Sequence, residues 1–201
     1  MGLYGDMWFD SHLHFDRFDV QQRVEAILEQ AAEAGVSKFL AVGGSPEANE
    51  RSRALAEAYS DRVYASAGYD RDLADEPYDA AQLEVQVSHP MVRAVGETGL
   101  DYFHTQDNKA AQQTLFELNL SLALKYHKPV IVHSRAAEAD TLSMLSAYAN
   151  QQGQHKGVLH CFTLDKTCAR QLLDLGFMIS FSGIVTFANA GDLRDLVSYI
   201  P

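Results

Sequence analysis

Short apolar runs alternate along the chain with longer stretches whose apolar positions recur at helical spacing. Runs rich in β-branched and aromatic residues predict strands, and the longer stretches predict helices. The pattern predicts seven strands, within 7–9, 38–42, 63–67, 92–96, 129–132, 157–159 and 177–181. Helices are predicted over 20–31, from 45 onward, and over 78–87, 109–127, 136–149, 164–175 and 192–199. Seven β-then-α units therefore follow one another.

This regular alternation predicts a parallel sheet whose strands are joined by helical crossovers. Such a sheet either stays open and doubly wound or closes as a TIM (β/α)₈-type barrel. A nucleotide-binding open sheet would carry a glycine-rich loop after its first strand, whereas this chain has Asp10-Ser11-His12-Leu13-His14 there. We therefore predict a single α/β barrel domain spanning residues 1–201.

Composition narrows the classes of function. The chain has 201 residues, 47% of them hydrophobic, which is ordinary for a packed domain and too high for a disordered chain. Its net charge of −11 argues against a general nucleic-acid coat, although bound metal ions can supply positive charge locally. The two cysteines, Cys161 and Cys168, are too few for a disulfide scaffold and predict reduced, partly buried thiols.

Targeting signals and membrane segments are not evident in the sequence. No apolar run approaches the 18 or so residues that span a bilayer, and the N-terminus lacks the basic start and apolar run of a signal peptide. We expect a soluble, cytoplasmic protein with no membrane partner and no obligate protein partner.

Four predicted strands end in metal-binding residue types. His12 and His14 follow the first strand, and Glu97, His133 and His160 follow the fourth, fifth and sixth. The carboxyl ends of barrel strands converge on one face, and residues i and i+2 of a strand share a side. Imidazole and carboxylate ligands without thiolate suit zinc, manganese and similar ions. Two histidine pairs with a bridging glutamate would serve two metals about 3.5–4 Å apart.

Each of these residues also has an ordinary structural interpretation. A strand-end histidine often makes a rim hydrogen bond, and Glu97 could form a salt bridge with Arg135. Arg135 could instead clamp an anionic group, or pair with Asp101 or Glu138. Asp101 could orient a ligand histidine or cap a turn.

Two further residues lie close to the candidate ligands. His104 shares a loop with Glu97, seven residues further on, and is a weaker candidate for the site. Cys161 adjoins His160, but it would point away from it if the strand continued, so we predict a core position.

Together the motifs resemble those of the TatD-type metal-dependent hydrolases, the TatD-related deoxyribonucleases of the amidohydrolase-like barrels. The resemblance covers nearly the whole chain, with Gly96-Glu97-Thr98-Gly99-Leu100-Asp101-Tyr102 its most specific segment. The other segments in the family's order are Asp10 to His14, Val132-His133-Ser134-Arg135, Leu159-His160-Cys161-Phe162 and Ile179 to Gly183.

The resemblance implies a distorted TIM barrel that binds two divalent ions (zinc, magnesium or manganese) and hydrolyses phosphodiesters, typically as a deoxyribonuclease. By the family pattern, His12 and His14 hold one ion, His133 and His160 hold the other, and Glu97 bridges them as the catalytic carboxylate. Arg135 lies where a substrate phosphate is expected. DNA ends or small phosphodiesters are the expected substrates.

The chain departs from the family pattern in two places. The family often has Gly-x-His-Pro after the third strand, whereas this chain has Gly68-Tyr69-Asp70-Arg71. The family's eighth strand ends in a Glu-Thr-Asp segment whose Asp completes the first metal site. Here the sequence ends at Tyr199-Ile200-Pro201, where that strand would begin. We expect the last βα unit to be absent from the sequence, and we favour an incomplete sequence over a seven-stranded enzyme.

Two other functions fit the same residues. One is metal-dependent hydrolysis of an amide or ester in the same barrel, which a carbamylated lysine at the end of strand four would favour; Glu97 occupies that position. The other is a truncated, catalytically weak chain that binds metal or a partner.

Overall fold

The computed structural model describes residues 8–15, 23–105, 107–153 and 156–201. Seven strands occur in this part of the chain: β1 (Trp8–Leu13), β2 (Val36–Ala41), β3 (Val63–Ala67), β4 (Val92–Asp101), β5 (Val130–Arg135), β6 (Gly157–Leu159) and β7 (Met178–Ile179). They form one sheet in the order β1 to β7, and every neighbouring pair is parallel. The sheet is a curled half-barrel, which confirms the predicted α/β, TIM-type class.

Seven α-helices follow the strands in turn within the described ranges: α1 (Val24–Glu33), α2 (Pro46–Ala58), α3 (Ala80–Ser88), α4 (Lys109–Tyr126), α5 (Glu138–Ala149), α6 (Lys166–Asp174) and α7 (Gly191–Val197). Several begin where a side chain caps free backbone N–H groups. Ser45 accepts a hydrogen bond from Ala48 N ahead of Pro46, and Asp165 accepts one from Cys168 N. These caps mark where the loop after a strand ends and the helix that leads to the next strand begins.

The strand boundaries differ from the predicted ones chiefly at β1, β4, β5 and β7. β1 continues to Leu13 and β5 to Arg135, each three or four residues past the predicted end. β4 runs on to Asp101, so Glu97 lies within the strand and not after it. β7 is only two residues long, against the five predicted. α1 begins at Val24, and the predicted start of that helix, with its Asp19 cap, lies outside the described residues.

Two apolar layers position the strand ends. The larger layer packs the helices against the outer face of the sheet and includes Leu28, Phe116 and Leu145. A smaller cluster fills the inner face; its members are Leu40, Val42, Ala94, Ile131 and Val158. Side chains alternate along a strand. The two inner residues Ile131 and Val158 therefore place His133 and His160, two positions further on, on the inner side as well.

The sheet has β1 at one end and β7 at the other. An eighth strand does not occur among the described residues. No helix in this same part of the chain combines the length and apolarity needed to cross a bilayer.

Candidate metal centre

A bulge in β4 aims Glu97 at the histidines. Val95 pairs with Val130 and Thr98 with Val132, so β4 carries one more residue than β5 between these pairs. An extra residue re-aims the side chains that follow it. Simple alternation from Ala94, on the inner face, would turn Glu97 outward, whereas the bulge brings its carboxylate to the inner side.

The two glycines that flank Glu97 and Thr98 allow this local structure. Gly96 and Gly99 have φ values of +143° and +136°, which side chains rarely adopt. A Cβ at Gly99 would also lie 2.0 Å from the His133 carbonyl oxygen. The segment from Gly96 to Gly99 therefore needs glycine at both ends to hold β4 against β5 beside His133.

Each oxygen of Glu97 faces one histidine pair. Oε2 lies 3.2 Å from the Nε2 atoms of both His12 and His14. Oε1 lies 3.1 Å from His160 Nε2 and 3.6 Å from His133 Nδ1. We call His12, His14 and Oε2 the β1 half, and His133, His160 and Oε1 the β5–β6 half. The five residues predicted as ligands from the sequence are therefore brought together around one carboxylate.

Burial and proximity shift the pKa values of this cluster. Burial alone would raise the pKa of Glu97, but the His12, His14 and His160 imidazoles hold it well below its usual range. Burial, with the Arg71 guanidinium nearby, lowers the pKa of His133 to about 4. Burial also lowers the pKa of His12. Anionic glutamate and neutral His12 and His133 near pH 7 are the protonation states that bind a cation.

The donor set fits divalent metal ions. Two groups of three ligand atoms, each group within 4.8 Å, share Glu97: one includes His12 and His14, and the other His133 and His160. His160 Nε2 is buried and has no hydrogen-bond partner among the described residues, although it lies close to Oε1. Coordination would satisfy such a nitrogen, and imidazole with carboxylate is a typical zinc or manganese ligand set.

Asp101 fills both roles considered for it. Its Oδ2 lies 3.1 Å from His133 Nε2, which orients that ring. Its Oδ1 accepts hydrogen bonds from the backbone N–H groups of Phe103 and His104, which caps the turn after β4. Burial raises and the contacts with His104 and His133 lower the pKa of Asp101, and the lowering prevails. Asp101 is thus a charged support behind the β5–β6 half.

The arginine that pairs with Glu97 is Arg71, which the sequence reasoning did not single out. Its Nη1 lies 2.8 Å from Glu97 Oε1 and 2.5 Å from Asp70 Oδ2. Burial, and then the neighbouring Glu97, raise the pKa of Asp70 to about 6. Asp70-Arg71 occupies the place where His-Pro was expected from the family pattern. That departure from the family pattern was the signal in the sequence that could have pointed to Arg71. The sequence alone does not show that the loop after β3 brings Arg71 into contact with Glu97 in β4.

Arg135, the predicted phosphate contact, lies at the rim of the site. Its guanidinium stacks 3.9 Å over the ring of Phe103, which is 63% exposed. Within the described residues it forms an ion pair with neither Asp101 nor Glu138. His104, the weaker candidate, is an exposed side chain that contacts Asp101 Oδ2 through Nδ1 at 2.9 Å.

The prediction that Cys161 belongs to the core is wrong. β6 ends at Leu159, so strand alternation does not continue to Cys161, which has a φ of +47°. Its half-buried side chain lies 2.8 Å from Ser182 Oγ. It lines an open cavity of about 830 Å³ together with the histidine cluster, Arg71 and Phe181.

Comparison with known proteins shows the family of the chain. The family model described as TatD related DNase matches residues 9–201. The chain belongs to the TatD-related DNase family. Within that family it is 42% identical over 195 residues to the metal-dependent hydrolase YcfH of Escherichia coli K12, covering 96% of this chain and 72% of YcfH. It is 35% identical over 201 residues to the metal-dependent hydrolase TatD of Mycobacterium tuberculosis, covering 96% of this chain and 75% of that protein.

A solved structure of this TatD-related family has the same fold. The crystal structure of YjjV, a TatD homologue from Escherichia coli K12, superposes with a TM-score of 0.88 at 32% identity. The match covers 96% of this chain and 75% of YjjV. The chain is a metal-dependent hydrolase of the TatD family, and its histidine and glutamate side chains form the candidate metal-binding groups.

Proposed function

We propose that this protein is a phosphodiesterase that cleaves DNA ends or small phosphodiesters with two divalent cations. The observation that carries the proposal is the division of Glu97, one oxygen towards each histidine pair. A carboxylate shared in this way fits two neighbouring ions. The TatD-related DNase match supports DNA as the substrate class.

The roles of the side chains follow from their positions. His12 and His14 would hold one ion, His133 and His160 would hold the other, and Glu97 would be the carboxylate that both share. The bound cations would activate a water molecule and offset charge on the phosphoryl oxygens. Asp101 keeps the His133 ring oriented.

Two features of the rim favour single-stranded nucleic acid. Phe103 offers an exposed aromatic face, and Arg135 stacks on it with its positive charge. Base stacking on an aromatic ring and charge pairing with phosphate are common elements of single-strand binding. Arg135 contacts a phosphate of the strand outside the cavity in this proposal. The net charge of −11 makes extended contact with a duplex backbone unfavourable.

A substrate panel tests the proposal. Chelated protein is reloaded with Mg²⁺, Mn²⁺ or Zn²⁺ and offered an end-labelled single-stranded oligonucleotide, a blunt duplex, bis(4-nitrophenyl) phosphate and 4-nitrophenyl acetate. We expect metal-dependent cleavage of the single strand and the phosphodiester, with slower cleavage of the duplex. Hydrolysis of the neutral ester alone would support the ester hydrolase instead. Metal binding without any hydrolysis would support a catalytically weak chain.

A further inference from the structure

Arg71 is the one lysine or arginine among the described residues that line the cavity beside the histidine cluster. Its side chain is only 16% exposed, and its guanidinium contacts the carboxylates of Asp70 and Glu97 closely and those of Asp72 and Asp101 at longer range. A guanidinium keeps its charge at any physiological pH. The cavity therefore holds one permanent cation in addition to the candidate metal ligands.

The loop after β3 holds Arg71 in a fixed place. Asn119 of α4 bonds both backbone groups of Tyr69, whose ring is fully buried. Asp70 N donates to the Gly44 carbonyl at 2.9 Å, and the Asp70 side chain accepts from Arg71 N at 2.8 Å. A charged group positioned in advance by its surroundings binds a ligand with little ordering cost.

Part of the Arg71 guanidinium is uncommitted. Its three side-chain hydrogen bonds all leave from Nη1, two to Asp70 and one to Glu97. Nε is buried without a hydrogen bond among the described residues and lies 3.8 Å from Asp72 Oδ1 and 4.0 Å from Asp101 Oδ2. Within the same part of the chain Nη2 makes no hydrogen bond, so it is the nitrogen left for a ligand. The planar guanidinium fork matches the oxygens of a phosphate group.

We propose that Arg71 binds a non-bridging oxygen of the substrate phosphate and selects anionic phosphoesters over neutral esters and amides. The inference rests on the proposed function and assigns its substrate-recognising residue. When metal ions bind the Glu97 carboxylate, less of its negative charge is left to neutralise the positive charge of Arg71. Arg71 then attracts an anionic ligand more strongly. Arg135, stacked on Phe103 outside the cavity, serves a different phosphate of a longer strand.

Binding of inorganic phosphate to the Mg²⁺-loaded protein tests this assignment without turnover. Calorimetric titration compares the wild type with Arg71→Gln and Arg71→Lys, and with Arg93→Gln as a control at an exposed position near the start of β4. We expect Arg71→Gln to weaken phosphate binding roughly 10- to 100-fold, since a bond to a charged group is lost. Arg71→Lys should lose less, because it keeps the charge but not the fork. Arg93→Gln should bind as the wild type does.

Metal content, measured on each variant by plasma mass spectrometry, separates loss of phosphate contact from loss of the ions. Unchanged phosphate affinity in a metal-loaded Arg71→Gln protein would overturn the proposal. If that variant does not fold or load, the wild type decides: phosphate should shift the Arg71 side-chain ¹⁵N resonance, identified by its loss in Arg71→Lys. An unshifted resonance would overturn the assignment.

A kinetic comparison connects the assignment to catalysis. Arg71→Gln should raise KM for bis(4-nitrophenyl) phosphate by a much larger factor than it raises any KM for the neutral ester 4-nitrophenyl acetate. If Arg71-dependent phosphate binding occurs but no phosphodiester is cleaved by the wild type, the proposed function fails and the anion site stands. If phosphodiesters are cleaved but Arg71→Gln changes neither KM nor phosphate affinity, the function stands and the Arg71 assignment fails.

Discussion

The two halves of the candidate metal centre are built in different ways. The β1 half takes both histidines from the end of one strand, His12 within β1 and His14 just after Leu13, so local backbone geometry brings them together. The β5–β6 half takes His133 from β5 and His160 from the position after β6, and Asp101 contacts His133 from behind. Arg71 also competes for Oε1 in this half, whereas no arginine contact to Oε2 occurs among the described residues. The β5–β6 half therefore depends more on tertiary structure. We expect substitutions remote from the site to weaken metal binding in this half before they weaken it in the β1 half.

The largest effect should come from Glu97, because both halves use it. Glu97→Gln keeps the shape of the side chain but removes the anionic charge. We expect hydrolysis to fall by about 1,000-fold or more, equal to about 4 kcal/mol of lost transition-state stabilisation. Metal content should fall as well, and an exposed control, Glu25→Gln on α1, should change neither. An unchanged rate in Glu97→Gln would reject the proposed centre.

Removing one histidine from each half tests whether the halves hold separate ions. His14→Ala and His133→Ala should each lose one metal equivalent per chain and lower hydrolysis by about 100-fold. Metal analysis after gel filtration gives the stoichiometry. Complete metal loss in both variants would mean that the four histidines form a single site.

Asp101→Asn should affect the β5–β6 half alone. Loss of the charged partner of His133 is expected to weaken one of the two metals by about 10- to 100-fold. Chelator competition should then show one weakened and one unchanged binding step. An exposed control, Asp192→Asn on α7, should leave both steps unchanged. Equal weakening of both steps would contradict the division into halves.

The smallest effect concerns the pH dependence of folding in the metal-free protein. The pKa of His133 is about 4 in the folded chain and about 6.5 in an unfolded chain. Between these values only the unfolded chain binds the proton, so stability falls as pH falls from about 6.5 to about 4. The share of His133 is about 2 kcal/mol between pH 7 and pH 5. Urea unfolding in a chelating buffer should show this loss in the wild type and a smaller one in His133→Gln. Identical pH profiles for the two proteins would exclude the effect.

The sequence best predicted those elements whose bounds depend on residues adjacent in the chain. The bounds of β3 and β6 match the predictions, as does the start of α2 at Ser45-Pro46. These elements depend on short apolar runs and on a cap. β7 was predicted too long because an apolar run alone does not show how many of its residues find a paired strand.

The site shows the same division. The pairing of His12 with His14 was predicted from strand periodicity. The placement of all five candidate ligand residues at strand ends predicted that they would meet on one face. The bulge in β4 that turns Glu97 inward depends on pairing with β5, which a single sequence does not reveal. Arg71 was missed because its contact with Glu97 spans 26 positions and begins in a loop.

Asn119 connects the helical layer to the position of Arg71 in the cavity. It lies in α4, fully buried, and bonds both backbone groups of Tyr69, two positions before Arg71. Substrate preference could therefore be changed from the helical layer, by substituting Asn119 or its neighbours, while every candidate metal ligand is kept. Conversely, a mutant library that varies only residues facing the cavity would leave out Asn119, whose contacts with Tyr69 help to fix the position of the Arg71 charge.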